Sequence, residues 1–270
     1  MNDIDFKYSL NFLQKINCIS INGKAISDSF FYKSYNIWYF FQSLLFRDIC
    51  EFSRKKIIVP KKLLSFRALL SATVLFFFVF ISLILVCIQR KKVLVFSVDS
   101  ATSVYSGDFR LEKLYNLLRE QNYSFVEMFH TVLGRETFKN ILKRKRPALY
   151  LESIDFIFIC WHKIRGFFVK AVEFELEVKG FSPGPERDFA QLLIRHYIIN
   201  LIPNSQFRIS VFKIILRLMG IRLILAIDDY RNYNELLVAG KELGIQTLSF
   251  QHGHFTKYHV GVLTIGLTPK

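Results

Sequence analysis

Residues 222–250, RLILAIDDYRNYNELLVAGKELGIQTLSF, decide the fold. The run 222–229 is apolar and ends in two aspartates, as a buried parallel strand leaving its sheet would. A helix over 233–243 follows, with Asn232 and Glu235 spaced as a capping box and Gly244 closing it. The run 245–250 is a second strand. Strand, helix and strand in that order make a βαβ unit, whose two strands lie parallel in one sheet.

Working outward, KVLVFSVDS at 92–100 reads as another buried strand, followed by a helix at about 110–121 and a strand at 124–130, SFVEMFH. These segments predict an α/β fold with a Rossmann-like parallel sheet. A helix from about 133 ends in Lys143, Arg144, Lys145 and Arg146, closed by Pro147. The stretch 149–161 fits strand or helix equally. Beyond the break Ser182-Pro183-Gly184-Pro185, helices are expected at 185–201 and 206–219, the second ending at Gly220.

Upstream of this domain, residues 68–88, ALLSATVLFFFVFISLILVCI, carry no charge. At about 1.5 Å rise per residue that length matches the ~30 Å hydrocarbon thickness of a bilayer. The expected organisation is therefore an aromatic and basic, membrane-interfacial region at 1–66, a membrane helix at 67–90 and a Rossmann-like domain at 91–270. In the first region FFYKSYNIWYFFQSLLF, 30–46, sets Trp38 and other rings beside Lys33 and Arg47, as at headgroup level; a small helical cap is the alternative. Both flanks of 68–88 are basic, with Arg54, Lys55, Lys56, Lys61, Lys62 and Arg67 before it and Arg90, Lys91 and Lys92 after. Counting cations places the N-terminus in the cytoplasm, whereas the function inferred below needs the C-terminal domain there. A helix that enters and returns on one face, or a contribution from the apolar stretch at 36–46, would satisfy both.

Eleven basic and five acidic residues precede the apolar run, leaving +6 of the formal net charge of +15 on that side and +9 beyond it. Beside a membrane segment, that balance points to anionic headgroups or phosphate-bearing substrates rather than nucleic acid. The four cysteines, Cys18, Cys50, Cys87 and Cys160, form no C-x-x-C pair and indicate neither zinc nor a disulfide framework.

In open α/β sheets ligands sit beyond the carboxyl ends of the strands, so the loops after the strands hold the candidate residues. They are Asp108 and Arg110 after the first strand, Asp229 beside Asp228 after the penultimate strand, and Gln251, His252 and Gly253 after the last. The string AIDDYRNYNELLVAGKELGIQTLSFQHGHF resembles the end of the N-terminal half of GT-B glycosyltransferases. Among these it is similar to membrane-associated capsule and teichoic-acid-type transferases, including the CDP-glycerol glycerophosphotransferase group, in which an H-G pair carries the catalytic base. The resemblance implies that His252 takes the acceptor hydroxyl proton, a task imidazole suits near neutrality. Gly253 lets the backbone approach the substrate without a side chain in the way. Gln251, Asp108, Arg110 and Asp229 line the substrate site, with Arg110 available to pair with a phosphate. A polar turn leaving a buried strand is the structural alternative for 251–254, a plain polar loop the one for Asp228 and Asp229, and a solvated loop or helix cap the one for Asp108 and Arg110. No metal or cofactor is implied.

A complete GT-B enzyme has a second Rossmann-like domain that binds the donor, and only 17 residues follow Gly253. The expectation is the acceptor-side portion of a membrane-bound transferase on the cytoplasmic face, inactive without a donor domain. Its partners would be a nucleotide-activated sugar or CDP-alcohol donor, a polysaccharide or lipid-linked acceptor, and membrane lipid. A non-catalytic membrane-anchored binding or scaffolding module remains the other reading.

Overall fold

A computed structural model describes residues 3–55, 92–98, 102–103, 107–108, 111–130, 148–151, 174–227 and 234–250, with single helical positions at 77, 80, 84, 88, 157, 160 and 161. The chain forms two compact units. One comprises Met1–Lys61, Lys170–Gln206 and Gly253–Lys270, the other Lys62–Val169 and Phe207–His252. By this division residues 170–206 group with the N-terminal region rather than with the sheet.

In the first unit, helices α1 (Asp3–Asn17) and α2 (Gln42–Lys55) flank two short hairpins. Asn22 and Gly23 both hold positive φ, 48° and 79°, between Ser20–Ile21 and Lys24–Ala25. This is the two-residue turn whose twist matches paired strands. Leu176–Glu177 adds a third strand, antiparallel to Ser20–Ile21. The core is aromatic: Phe12 meets the Phe181 ring at 4.9 Å, and Phe52 stacks on Phe189 at 4.0 Å. Trp38 is fully buried and donates from Nε1 to Asn17 Oδ1 at 2.8 Å, while Gln42 Nε2 donates to the same oxygen at 3.2 Å. Ile37, Phe41, Leu45 and Phe46 are buried as well. Of the rings expected at headgroup level over 30–46, Trp38, Phe41 and Phe46 are core, with Trp38 and Phe41 packed on Tyr197; Phe30, Tyr32, Tyr35, Tyr39 and Phe40 are half-buried and Phe31 is exposed.

From Pro185 to Met219 the chain is helical throughout: α4 (Pro185–His196), a π-turn at Tyr197–Leu201, and α5 (Ile202–Met219). The break expected between two helices is a widened turn. Pro203 has no N–H to give to the Ile199 carbonyl and its ring would clash there, so the preceding turn expands. The turn directs Tyr197, fully buried, to donate its hydroxyl to Asp48 Oδ2 at 2.8 Å. Burial and the Asp48 charge push the Tyr197 phenol well above its ordinary value. With the folded value raised, the unfolded chain loses this proton first, near pH 10, and stability falls as pH rises further. Wild-type protein should therefore lose up to about 1.4 kcal/mol per pH unit above pH ~10 through this group. Tyr197→Phe should remove that component and cost about 1 kcal/mol at neutral pH. Denaturant melts at pH 7 and across pH 9–11 check this; an unchanged alkaline slope would contradict it.

The second unit carries the parallel sheet. Its strands are β1 (Val93–Val98), β2 (Phe125–His130), β3 (Ala148–Tyr150), β4 (Leu223–Ile227) and β5 (Gln246–Phe250), in the order β5-β4-β1-β2-β3, every pair parallel. Helix α3 (Glu112–Glu120) joins β1 to β2, and α6 (Asn234–Glu242) joins β4 to β5. Val93, Val95 and Leu225 pack on Leu111, Tyr115 and Leu118, while Leu94, Ile224 and Ala226 are also buried. Burial of successive residues explains why these strands read as continuous apolar runs. Gly240 lets α6 lie close to the sheet, since a Cβ there would fall 2.7 Å from Ile224 Cδ1.

Among the described residues no helix is long and apolar enough to cross a membrane. Most of 68–88 lies outside them. Its described positions, Phe77, Phe80, Ile84 and Ile88, are helical and exposed, and their spacing of three, four and four puts them on one helix face.

Candidate functional site at the carboxyl edge of the sheet

The strand order sets where a ligand would meet this sheet. From β1 the chain moves to β2 and β3 on one side, then returns to β4 on the other side of β1 and continues to β5. The order reverses between β1 and β4, and the crevice outside their carboxyl ends is the topological switch point. Ala226 pairs with Phe96, so β4 ends one residue and β1 two residues past that pair. Asp228 and Asp99 are the next residues of the two chains. Parallel register also pairs Ile227 with Phe250, so β4 and β5 end level.

Asp229 and His252 each stand two residues beyond that Ile227–Phe250 pair, within about 7 Å of it by chain length alone. Gln251, His252, Gly253, Asp229 and Arg110 themselves lie outside the described residues, as do Asp228 and Asn232. Asp108 is described in its backbone only: Gly107–Asp108 pairs antiparallel with Thr102–Ser103, and Asp108 lies opposite Thr102. The β1–α3 connection thus contains a small hairpin. The residue capping α3 is Leu111, not Asp108, so Asp108 is not the helix cap. The sheet topology thus brings the ends of β1, β4 and β5 to one edge, but the side-chain geometry of the candidate residues is not among the described features.

Two carboxylates behind the edge have structural roles. Glu235 is buried and ion-paired with Arg208 at 3.7 Å, a tertiary contact that the capping-box spacing did not reveal. α6 is described from Asn234, with Glu235 in its first turn, where a carboxylate also suits the helix dipole. Glu127, fully buried in β2, accepts a hydrogen bond from the Tyr115 hydroxyl at 2.8 Å. A lone carboxylate inside the apolar run SFVEMFH was the signal for that pair, since buried charges require partners. Among the described residues no group of three or more His, Cys, Asp or Glu is placed to hold a metal ion.

Comparison with protein-family models, with curated proteins and with solved structures gives no match to this chain. The class is therefore the one its fold defines: an α/β protein built on a five-stranded parallel sheet with its order reversing between β1 and β4.

Proposed function

We propose that the chain is the acceptor-side portion of a membrane-bound glycosyltransferase or glycerophosphotransferase-like enzyme that builds a surface polysaccharide. The observation that carries the reading is the level ending of β4 and β5 at Ile227 and Phe250, which starts the acidic loop and the Q-H-G turn from one sheet edge beside the switch point. In this reading His252 is the general base, Gln251, Gly253, Asp108, Arg110 and Asp229 hold substrate, and no metal takes part. The first loop supports an acceptor role. Between the end of β1 and α3 its glycine is Gly107 alone, so it lacks the Gly-x-Gly-x-x-Gly turn that cradles a dinucleotide pyrophosphate. The uncharged run 68–88 and its exposed described positions support membrane attachment.

The test is transfer of radiolabel from CDP-glycerol and from UDP-sugars into polymer, on washed membranes from cells with and without the full chain. Chain-dependent incorporation is expected. Incorporation that does not depend on the chain would overturn the enzymatic reading in favour of a binding module.

A further inference from the structure

The end of the sheet opposite the candidate site carries a basic cleft. Arg222 N donates to Lys92 O at 2.8 Å and Gln246 N donates to Arg222 O at 3.3 Å, so Lys92 and Arg222, which precede β1 and β4, and Gln246, the first residue of β5, stand side by side at the amino edge. Beside them opens a cleft of about 530 Å³ lined by Arg217, Gly220, Ile221, Arg222, Glu242 and Leu243 among others. Arg217, Arg222, Lys92 and Lys241 are exposed. The acidic lining residue, Glu242, has its carboxylate 3.8 Å from Lys213 Nζ, which offsets its charge. The cleft therefore presents two arginine guanidiniums to anything outside it.

Apolar surface adjoins this charge. Ile214 and Leu218, one turn apart on α5, are exposed at 58% and 66%, and α5 ends at the cleft. Ile88, the last described position of the apolar segment and 73% exposed, is five residues from Val93 at the amino end of β1. Five residues of chain span at most about 18 Å. Whatever surface receives Ile88 is thus held near the amino edge of the sheet, and the amino edge is where guanidiniums and bare aliphatic side chains coincide. That combination is the mark of an interfacial surface: aliphatics enter the acyl boundary while arginines meet phosphates.

We propose that the amino edge of the sheet docks on the bilayer, with Arg217 and Arg222 binding the phosphate groups of anionic phospholipids. The proposal rests on the reading of 68–88 as membrane-inserted. It sets the carboxyl edge about 20 Å from the docked surface, the length of a six-residue strand. An acceptor reaching His252 must then project from the membrane by about that distance, which suits a growing polymer better than a bare lipid headgroup.

The experiment uses the full chain in nanodiscs of phosphatidylcholine, with or without phosphatidylglycerol, followed by hydrogen exchange of the backbone amides. Each arginine at an anionic surface contributes about a fivefold preference, so exchange over 216–223 should slow on the order of tenfold when phosphatidylglycerol is present. The double variant Arg217→Gln, Arg222→Gln should lose that slowing, and Arg119→Gln, an exposed arginine on α3, should keep it. Flotation after carbonate washing reads the underlying membrane assignment separately. Protein that floats but shows no dependence on phosphatidylglycerol at 216–223 overturns the docking surface and leaves the membrane assignment standing. Protein that fails to float overturns both.

Discussion

Trp38→Ala is expected to lower the stability of the first unit by about 3–5 kcal/mol, the range for removing a large buried aromatic. The indole is fully enclosed, packs edge-on to Tyr197 with ring centres 6.4 Å apart, and fixes Asn17 through its Nε1–H. The substitution therefore leaves a cavity and removes a donor from a shared acceptor in one step. With domain unfolding near this size shifting by a few degrees per kcal/mol, the melting temperature should fall by about 10 °C. Trp38→Phe keeps most of the volume and loses the hydrogen bond, so it should cost roughly 1–2 kcal/mol. Thermal melts of the two variants separate the terms. Had Trp38 been an interfacial residue at headgroup level, both substitutions would leave the melt almost unchanged and weaken membrane binding instead.

Once a donor-binding domain or partner chain completes the cleft, His252→Ala is expected to reduce chain-dependent transfer by about 10²–10⁴, the usual contribution of a general base, while leaving the fold intact. The acceptor hydroxyl is a poor nucleophile until its proton is taken, and a neutral imidazole is the group in this loop suited to take it near pH 7. His252 lies beyond the last paired residue of an edge strand, so removing the ring should not disturb the sheet. Glu235→Ala should behave in the opposite way. It strips a buried carboxylate from Arg208 and leaves a partly buried guanidinium behind, so it should destabilise the domain rather than the chemistry of the folded fraction. Melting curves and single-turnover rates on the same preparations distinguish the two. Full turnover in His252→Ala would make Q-H-G a structural turn.

The parallel sheet was legible because its inner strands are buried and announce themselves as apolar runs: VLVFSV, FVEMFH and LILAI, and with them the more exposed edge strand QTLSF, all fall within a residue or two of where the sequence puts them. Strand order was not. It depends on which runs pair, and nothing in VLVFSV states that its neighbours are LILAI on one side and FVEMFH on the other. The aromatic packing of the first unit was not legible for a related reason. Trp38 and Phe41 pack against Tyr197, Phe12 against Phe181 and Phe52 against Phe189, all more than 130 positions away in sequence, and aromatic-rich segments look alike whether they face lipid or each other. The site was legible as a set of loops but not as a geometry. Chain order says that Asp229 and His252 leave adjacent strands, while the distance between their side chains depends on loop conformations that no local pattern determines. The amino-edge cleft was missed because Arg217 and Arg222 look like ordinary helix-end and loop cations until Gly220 turns the chain between them with φ 65°.

An acceptor is expected to bind at the carboxyl edge of the parallel sheet. The direct measurement is a hydrogen-exchange footprint of the membrane-reconstituted full chain with and without oligomers of poly(glycerol phosphate) and of neutral capsular saccharides. Slowed exchange confined to 99–110, 228–233 and 251–254 is the predicted result. Protection that appears instead at 216–223, or no protection with any oligomer, would contradict it.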